Sequence, residues 1–202
     1  MQLLLATTNP HKAREFAELL TPLGVQLRTL ADVGSELPEP NEDGPTFEAN
    51  ARIKATFYAQ ALGCLCLADD SGLEVDALGG APGVRSARYA GHAGPREERD
   101  RRNRQRLVAD LRRIDGFNGP ARLVCALCLA NERGHVSFET RATLEGRFVE
   151  HGSGEHGFGY DSHLFLDDVA KTAAQLSPTE MNARSHRGQA ARQLAAWLRE
   201  RA

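Results

Sequence analysis

The sequence predicts an α/β protein with a mixed β-sheet. Strand and helix patterns alternate early in the chain, strand patterns follow one another in the middle, and a helical pattern closes the sequence. Alternating units favour parallel strands flanked by helices, whereas consecutive strands favour antiparallel pairing. The 202 residues, 41% of them hydrophobic, suffice for one domain, or one compact two-lobed unit, whose core needs no disulfides.

The early part of the chain is predicted to begin with an apolar strand at 3–6. A helix follows, because Asn9 suits an N-cap and Pro10 suits the first helical position. The next elements are a strand at 25–30, an acidic loop with Pro and Gly at 31–45, and a helix from Thr46 to about Leu62.

The buried strand pattern CLCLA is predicted to end at Asp69-Asp70-Ser71-Gly72 and to be followed by a loop at 79–91. The next predicted elements are an Arg-rich helix at 95–114 and antiparallel strands at 121–130 and 135–149. A Gly-rich turn and a strand in YDSHLFL follow. The capping box Ser177-Pro178-Thr179-Glu180 begins a helical region, and an amphipathic helix is predicted at 189–201.

The composition argues against some classes of partner. A net charge of -2 gives no reason to expect binding along a nucleic-acid backbone, and acids interrupt the Arg-rich helix, which is predicted to face solvent or a protein partner. No apolar run approaches the ~20 residues of a membrane-spanning helix, and the first residues do not resemble a signal peptide. We therefore expect a cytoplasmic protein that binds neither nucleic acid nor membranes.

The four cysteines are Cys64, Cys66, Cys125 and Cys128. A C-x-x-C spacing is compatible with zinc or redox chemistry. Both pairs lie in apolar strand patterns, however, and an odd separation places Cys125 and Cys128 on opposite faces of a strand. We predict reduced cysteines that pack in the core.

The first segment with candidate chemistry is the turn Thr7-Thr8-Asn9-Pro10-His11-Lys12. A strand-to-helix turn presents backbone N–H groups and the positive end of the helix dipole, which suits a phosphate. The threonine hydroxyls and the Lys12 ammonium add donors. The segment lacks the P-loop pattern, and taken alone it is more typical of an ordinary capped helix with a solvated lysine.

The second segment contains carboxylates. Asp69 and Asp70 lie at the carboxyl end of a buried strand, where α/β sheets place ligands, and neighbouring strand residues point to opposite sides. One aspartate is expected to face a cleft and the other to support it. Glu42, in the acidic loop, is a second candidate ligand for Mg²⁺, which prefers oxygen donors. A turn and a solvated acidic loop are the alternatives.

The third segment is the Gly-rich turn with Phe158, Gly159, Tyr160 and Asp161. An aromatic ring there is suited to stacking on a base, and Asp161 is suited to accepting hydrogen bonds from ring N–H groups. The alternative is a hairpin with one core aromatic residue.

The fourth segment is Ser185-His186-Arg187-Gly188. Ser185 is a candidate cap that places His186 and Arg187 at a helix N-terminus. Arg187 offers planar donors to the C6 carbonyl of hypoxanthine or xanthine, whereas adenine presents an amino donor there. A surface His-Arg pair is the alternative.

Together, and in this order, these segments resemble the inosine triphosphate pyrophosphatases, also called non-standard purine NTP pyrophosphatases. The resemblance covers nearly the whole chain. The matching stretches are LLLATTNPHKAREFAELL, NEDGPTFEANARIKA, LADDSGLEVDALGGAPGVRSARYAG, GFGYD, KTAAQL and SHRGQA.

The resemblance implies an elongated mixed sheet with flanking helices in two lobes around a central cleft, as a single two-lobed domain over residues 1–202 and as a homodimer. It implies Mg²⁺-dependent hydrolysis of purine nucleoside triphosphates (ITP, dITP and XTP) to the monophosphate and pyrophosphate. By position, the resemblance implies that Thr7 to Lys12 bind the triphosphate and that Glu42 and Asp70 bind the metal. It also implies that Asp70 is the general base. The further substrate contacts that it implies are Ser71, Phe158, Gly159, Tyr160, Asp161, His186 and Arg187.

The chain departs from this family at two positions. Met181 stands in the stretch EMNA, where the family commonly has a cationic lysine, and Gln175 stands where glutamate is common. The first change removes a donor from the base side of the pocket, so purine selectivity or KM is expected to differ. Lys171 is a candidate for partial compensation.

Two other functions compete with this hypothesis. A related pyrophosphatase of the Maf group would act on modified pyrimidines, but the SHRG and FGYD segments argue against it. A catalytically silent nucleotide sensor would keep the Thr7–Lys12 turn without needing Glu42, Asp69 and Asp70, and all three are present.

Overall fold

A computed structural model describes residues 2–34 and 37–201. Their strands are β1 (Gln2–Ala6), β2 (Gln26–Thr29), β3 (Cys66–Val75), β4 (Pro120–Ala130), β5 (Val136–Phe148), β6 (Leu164–Leu166) and β7 (Lys171–Thr172). Their α-helices are α1 (Pro10–Leu20), α2 (Phe47–Leu62), α3 (Arg96–Arg112), α4 (Pro178–Arg184) and α5 (His186–Arg199).

The strands form a seven-stranded sheet in the order β2-β1-β3-β4-β5-β6-β7. β1 pairs in parallel with both β2 and β3, and β6 pairs in an antiparallel manner with both β5 and β7. The predicted α/β class and mixed sheet are therefore confirmed. The parallel half arises where strands alternate with helices, and the antiparallel half where they follow one another.

Three predicted boundaries are wrong. β3 does not end at Asp69 but continues to Val75, so the Asp-Asp-Ser-Gly run is strand rather than turn. The predicted strand YDSHLFL begins only at Leu164, after a 3₁₀ turn at Asp161–His163. The last helix begins at His186 rather than Gln189.

Several helix ends follow local rules. The Asn9 side chain accepts a hydrogen bond from His11 N, and Pro10 begins α1, as predicted. Thr46 caps α2 through Ala49 N. Ser177 and Glu180 form the predicted capping box at the start of α4.

The described chain divides into two compact units. The first unit comprises residues 1–70, 125–142 and 186–202, and the second comprises 71–124 and 143–185. Each unit combines strands with helices.

The first unit has a core of aliphatic side chains from β1, β3 and β4, with α1 and α5 packed on it. Its members include Leu5, Phe16, Leu67, Leu127 and Leu194. Cys125 belongs to this core, whereas Cys128 lies beside Glu139 and Arg52. The predicted packing in the core is confirmed for Cys66, Cys125 and Cys128, which are free and buried; Cys64 is only partly buried.

The second unit has its own core, to which α3 and strands β3 to β6 contribute. Leu73, Leu107, Phe148, Tyr160 and Leu164 are among its buried members. Met181 packs against this core as a partly buried side chain. Across the part of the chain that is described, no helix combines the length and apolar character needed to cross a membrane.

Candidate active site

The turn from β1 into α1 carries the predicted phosphate-binding residues. Asn9 N donates to Thr7 Oγ1 (3.1 Å), and Asn9 Oδ1 accepts from His11 N (3.0 Å). Thr8 and Pro10 are exposed, whereas Asn9 is buried. Asn9 Nδ2 is buried without a hydrogen-bond partner among the described residues. Because such a donor is unfavourable to bury alone, this atom is well placed for a ligand oxygen.

Lys12 is not the solvated lysine that the first turn of an exposed helix predicts. Its Nζ lies 2.6 Å from Asp69 Oδ2, and only 14% of its side chain is exposed. The Asp69 side chain is fully buried. Lys12 and Asp69 thus form a buried ion pair, whose energy depends on both charges being present.

Asp69 has two further partners in the first unit. Cys125 Sγ donates to Asp69 Oδ1 (3.3 Å), and Arg187 Nε lies 4.0 Å from Asp69 Oδ2. Although burial acts to raise it, the positive charges of Lys12 and Arg187 hold the pKa of Asp69 far below its ordinary value. Asp69 is therefore ionised and fully engaged by protein groups.

Asp70 faces a different environment, as the alternation along a strand predicts. Its Oδ2 accepts from Asn50 Nδ2 of α2 (3.1 Å), and the residue is half-buried. Burial raises the pKa of Asp70; Lys12 and Lys54 oppose this, and the charges of Asp69 and Glu42 add to it. The negative charge of Asp70 is therefore neutralised by nearby lysine and arginine side chains less completely than the charge of Asp69.

Glu42 is paired with a lysine that the sequence analysis did not single out. Lys54 Nζ lies 2.8 Å from Glu42 Oε2 and donates to the Asp69 carbonyl oxygen (3.1 Å). Although burial acts to lower it, the carboxylates of Glu42 and Asp70 raise the pKa of Lys54. Asn50 and Lys54 are four residues apart on α2, so they share one face of the helix. This four-residue spacing, on the helix that follows the acidic loop, is the sequence pattern from which Asn50 and Lys54 could have been predicted as site residues.

His186 and Arg187 begin α5, the start that Ser185 as a cap predicts and the apolar pattern from Gln189 does not, and they are buried rather than a surface pair. Arg187 Nη1 donates to Glu15 Oε2 on α1 (2.8 Å). Burial and the nearby Arg187 charge lower the pKa of His186 well below its ordinary value, so the imidazole is neutral. His186 Nδ1 is buried without a hydrogen-bond partner among the residues that the structure describes.

Glu15 was also missed. It lies three residues after Lys12, so the two side chains share a face of α1. The structure therefore brings together, within the first unit, the predicted residues Lys12, Glu42, Asp69, Asp70 and Arg187 with the unpredicted Glu15, Asn50 and Lys54.

The turn at 158–161 belongs to the second unit, as does Ser71. Asp161 Oδ2 accepts from Phe158 N (2.9 Å), so one of its carboxylate oxygens closes the turn itself. A Cβ atom at Gly157 would clash with the same oxygen, which explains the glycine there. Tyr160 is 5% exposed and donates to the Ser86 carbonyl oxygen (2.9 Å). Its ring belongs to the core of the second unit, so Phe158 is the more exposed of the two aromatic residues in the turn.

The model of the Ham1 family matches residues 3–197. The chain belongs to the Ham1 family. A dITP/XTP pyrophosphatase from an Exiguobacterium species is 48% identical, over 97% of this chain and 96% of the relative. One from Thermus thermophilus is 45% identical, over 96% of this chain and 90% of the relative.

Solved Ham1 structures share the fold. A HAM1 protein from Coxiella burnetii matches with a TM-score of 0.88 and 37% identity, covering 99% of both chains. The Staphylococcus aureus Ham1 protein matches with a TM-score of 0.85 and 31% identity, covering 100% of both. The Ham1 assignment confirms the resemblance inferred from the sequence motifs.

Proposed function

We propose that this protein hydrolyses inosine- and xanthosine-type nucleoside triphosphates (ITP, dITP and XTP) to the monophosphate and pyrophosphate, and so cleanses the nucleotide pool. The observation that carries the proposal is the full-length match to relatives named dITP/XTP pyrophosphatase. The charged cluster of the first unit supports it, because that chemistry consists largely of positioning and neutralising a triphosphate.

The turn Thr7–Lys12 is the proposed triphosphate site. Asn9 Nδ2 offers a buried donor, α1 contributes the positive end of its dipole, and Lys12 contributes a charge. Asp69 holds the Lys12 ammonium, so its flexible side chain is fixed before substrate arrives. Lys54, held by Glu42, is a second cation for the phosphates.

Glu42 and Asp70 are the proposed ligands of Mg²⁺. Four carboxylates (Glu15, Glu42, Asp69 and Asp70) accompany three cations (Lys12, Lys54 and Arg187) in this cluster, so it suits a further positive charge. The described residues contain no group of three or more His, Cys, Asp or Glu side chains able to hold a metal. Two carboxylates still fit Mg²⁺, which commonly completes its shell with water and substrate phosphates. When bound, the ion supplies Lewis acidity to the triphosphate.

Asp70 is the proposed catalytic residue. Its raised pKa makes it a better proton acceptor than an ordinary aspartate. Asn50 fixes its orientation through the 3.1 Å hydrogen bond to Oδ2. In this scheme Asp70 accepts the proton of the attacking water, and Lys12 and Lys54 stabilise the charge that develops on the departing pyrophosphate.

Base recognition is proposed for the 158–161 turn and for His186 and Arg187, and Ser71 is proposed as a further substrate contact. The Arg187 guanidinium is held by Glu15 (2.8 Å), which restrains its orientation, and its planar donors match the C6 carbonyl of a 6-keto purine. Phe158 is half-buried and offers a ring for stacking. An adenine amino group would place donor against donor, which is the physical basis for rejecting ATP.

The proposal extends to the setting of the enzyme. We expect a homodimer in the cytoplasm, acting on free nucleotides without nucleic-acid or membrane partners. These features follow from the resemblance and from the composition.

A substrate panel tests the proposal. We expect Mg²⁺-dependent release of pyrophosphate and monophosphate from ITP and XTP, abolished by a chelator, with kcat/KM for ITP exceeding that for ATP by about 10⁴-fold. Products are identified by chromatography. Preferential hydrolysis of modified pyrimidine triphosphates would indicate the Maf-type activity instead. Tight ITP binding without turnover would indicate a sensor.

A further inference from the structure

Asp100 and Arg104, two side chains of α3, each form a hydrogen bond with the backbone of Gly159, and we call this pair the α3 clamp. Arg104 Nη1 donates to the Gly159 carbonyl oxygen (2.6 Å), and Asp100 Oδ2 accepts from Gly159 N (3.2 Å). Asp100 and Arg104 are four residues apart, so they project from the same face of the helix. Both hydrogen bonds involve a charged partner, which makes each stronger than a neutral one.

The chain that leads into the 158–161 turn is exposed and rich in glycine. The preceding residues 151–157 are exposed, and Gly157 and Gly159 both have positive φ (76° and 62°). Chain of this kind is flexible unless other groups fix it. Within the turn, Asp161 binds Phe158 N and Tyr160 binds the Ser86 carbonyl. The α3 clamp fixes Gly159, which lies between Phe158 and Tyr160.

The same helix also contacts Phe158. The Arg96 guanidinium lies 5.2 Å from the centroid of the Phe158 ring, within the range of a cation–π interaction. Arg96 Nε in turn lies 3.9 Å from Asp100 Oδ2. Asp100 therefore links the side chain over the Phe158 ring to the backbone beside it. This part of the Arg-rich helix serves the turn rather than solvent, which corrects the expectation from sequence.

We propose that Asp100 and Arg104 are positioning residues that hold the 158–161 turn in the conformation that recognises the purine base, so that α3 contributes to base selectivity. The inference rests on the proposed function, because it assumes that this turn contacts the base. Neither side chain is assigned a contact with substrate. Their effect is transmitted through Gly159 and the Phe158 ring.

The test compares Arg104→Leu and Asp100→Ala with the exposed Arg101→Leu on the same helix as a matched control. Each α3 clamp variant is expected to raise KM for ITP about tenfold, the effect of losing one charge-assisted hydrogen bond, with kcat changed less than about threefold. The ITP-over-ATP ratio of kcat/KM should fall. Arg104→Lys, which keeps a donor, should recover most of the loss, and Arg101→Leu should match the native enzyme.

Hydrogen exchange in glycine-labelled protein gives a readout that does not depend on activity. Removing the Asp100 acceptor should accelerate exchange of the Gly159 amide, and Arg101→Leu should not. Native KM and selectivity in Arg104→Leu and Asp100→Ala would overturn the proposal, and so would a loss of thermal stability with unchanged KM. If the native enzyme hydrolyses ITP and Arg104→Leu and Asp100→Ala keep its KM and selectivity, only the positioning role is overturned. A native enzyme that does not hydrolyse ITP overturns the proposed function and this inference with it.

Discussion

Among single residues, Asp69 shows how a buried charge organises the first unit. Its carboxylate is fully buried and holds the ammonium of Lys12 at 2.6 Å. Cys125 donates to its other oxygen (3.3 Å). A buried ion pair of this kind is costly to break, since the remaining charge is left without compensation. Lys12 therefore has a structural role beside its proposed role in binding phosphate.

Lys12→Ala is expected to lower the free energy of unfolding by about 3 kcal/mol at neutral pH. Burial acts to raise the pKa of Asp69, but Lys12 and Arg187 depress it below its ordinary 3.8. The stabilisation is therefore present above pH 3.8 and is lost as the pH falls, so the difference between variant and native protein should shrink in acid. Urea unfolding at several pH values measures this.

The exposed Arg14→Ala on the same helix is the control, with an expected change within about 0.5 kcal/mol. Equal stabilities of Lys12→Ala and the native protein at pH 7 would show that the ion pair contributes little.

Asp70→Asn is expected to lower kcat by about 10²–10⁴-fold, since the proposed base and metal ligand loses its charge with little change in volume. Stability should not fall. Burial raises the folded-state pKa of Asp70 above 3.8, so the native state loses stability as the pH rises through that pKa. Asparagine has no such loss.

The measurements for Asp70→Asn are steady-state ITP hydrolysis and thermal unfolding without divalent cations. The variant should melt at or above the native temperature at pH 7, and the two should converge near about pH 3. A folded variant with near-native kcat would remove Asp70 from both proposed roles.

Met181→Lys tests a position at which this sequence has methionine and the family that it resembles commonly has lysine. The native side chain packs on the core of the second unit. A lysine can keep its apolar stem there while its ammonium reaches water or substrate, so a stability change below about 1 kcal/mol is expected. KM for ITP should fall by a larger factor than the change in the ratio of kcat/KM for ITP to kcat/KM for ATP.

The assay for Met181→Lys is kcat/KM for ITP, XTP, GTP and ATP. Met181→Leu keeps an apolar side chain without a charge and should leave each KM unchanged. If lysine also leaves every KM unchanged, the position lies outside the base pocket.

At the level of elements, helix starts place the candidate residues. α1 begins after Asn9 and presents Lys12 one turn later, and α5 begins at His186 with Arg187 next. β3 runs through both aspartates, and its alternation sends Asp69 towards Lys12 and Asp70 towards Asn50. Secondary structure thus decides which carboxylate meets which cation.

Ser177→Ala tests the capping box that begins α4. Ser177 Oγ accepts from Glu180 N (3.3 Å), and Glu180 Oε2 accepts from Ser177 N (2.8 Å). Loss of the cap is expected to cost about 1 kcal/mol, or a fall of about 2–4 °C in Tm. The exposed Thr179→Ala, within the same helix, should leave Tm within about 1 °C. Equal Tm values for both variants would contradict the capping role.

At the level of the whole molecule, each of the two units contains its own group of candidate residues. The first unit holds the charged cluster around Asp69 and Asp70, and the second holds the 158–161 turn. Each unit has its own hydrophobic core. A substitution in one core is therefore expected to affect the residues that the same core supports.

The expected homodimer is a prediction about the whole molecule. Sedimentation velocity at micromolar concentration should give twice the chain mass, with no dependence on Mg²⁺ or nucleotide. A single species of the chain mass at these concentrations would contradict it. The control is the same measurement on Ser177→Ala, which changes a helix cap and should not alter the mass.

The sequence by itself determined the features that depend on neighbours along the chain. The α/β class, the caps at Asn9 and Ser177, and the helix at 47–62 follow from hydrophobic period and capping chemistry, which are local. The motif run also led to the family, because the matching stretches extend along nearly the whole chain.

Tertiary structure alone decided which distant residues meet. Glu15 and Arg187 are 172 positions apart, and Asp69 and Cys125 are 56 apart, so no local pattern pairs them. The burial of Lys12 likewise depends on β3, which lies far along the chain, and the Asp100–Gly159–Arg104 clamp depends on α3 packing against a distant turn. Charge interactions act through space, whereas hydrophobic period and capping act along the chain, and for that reason the elements were predictable and their ion pairs were not.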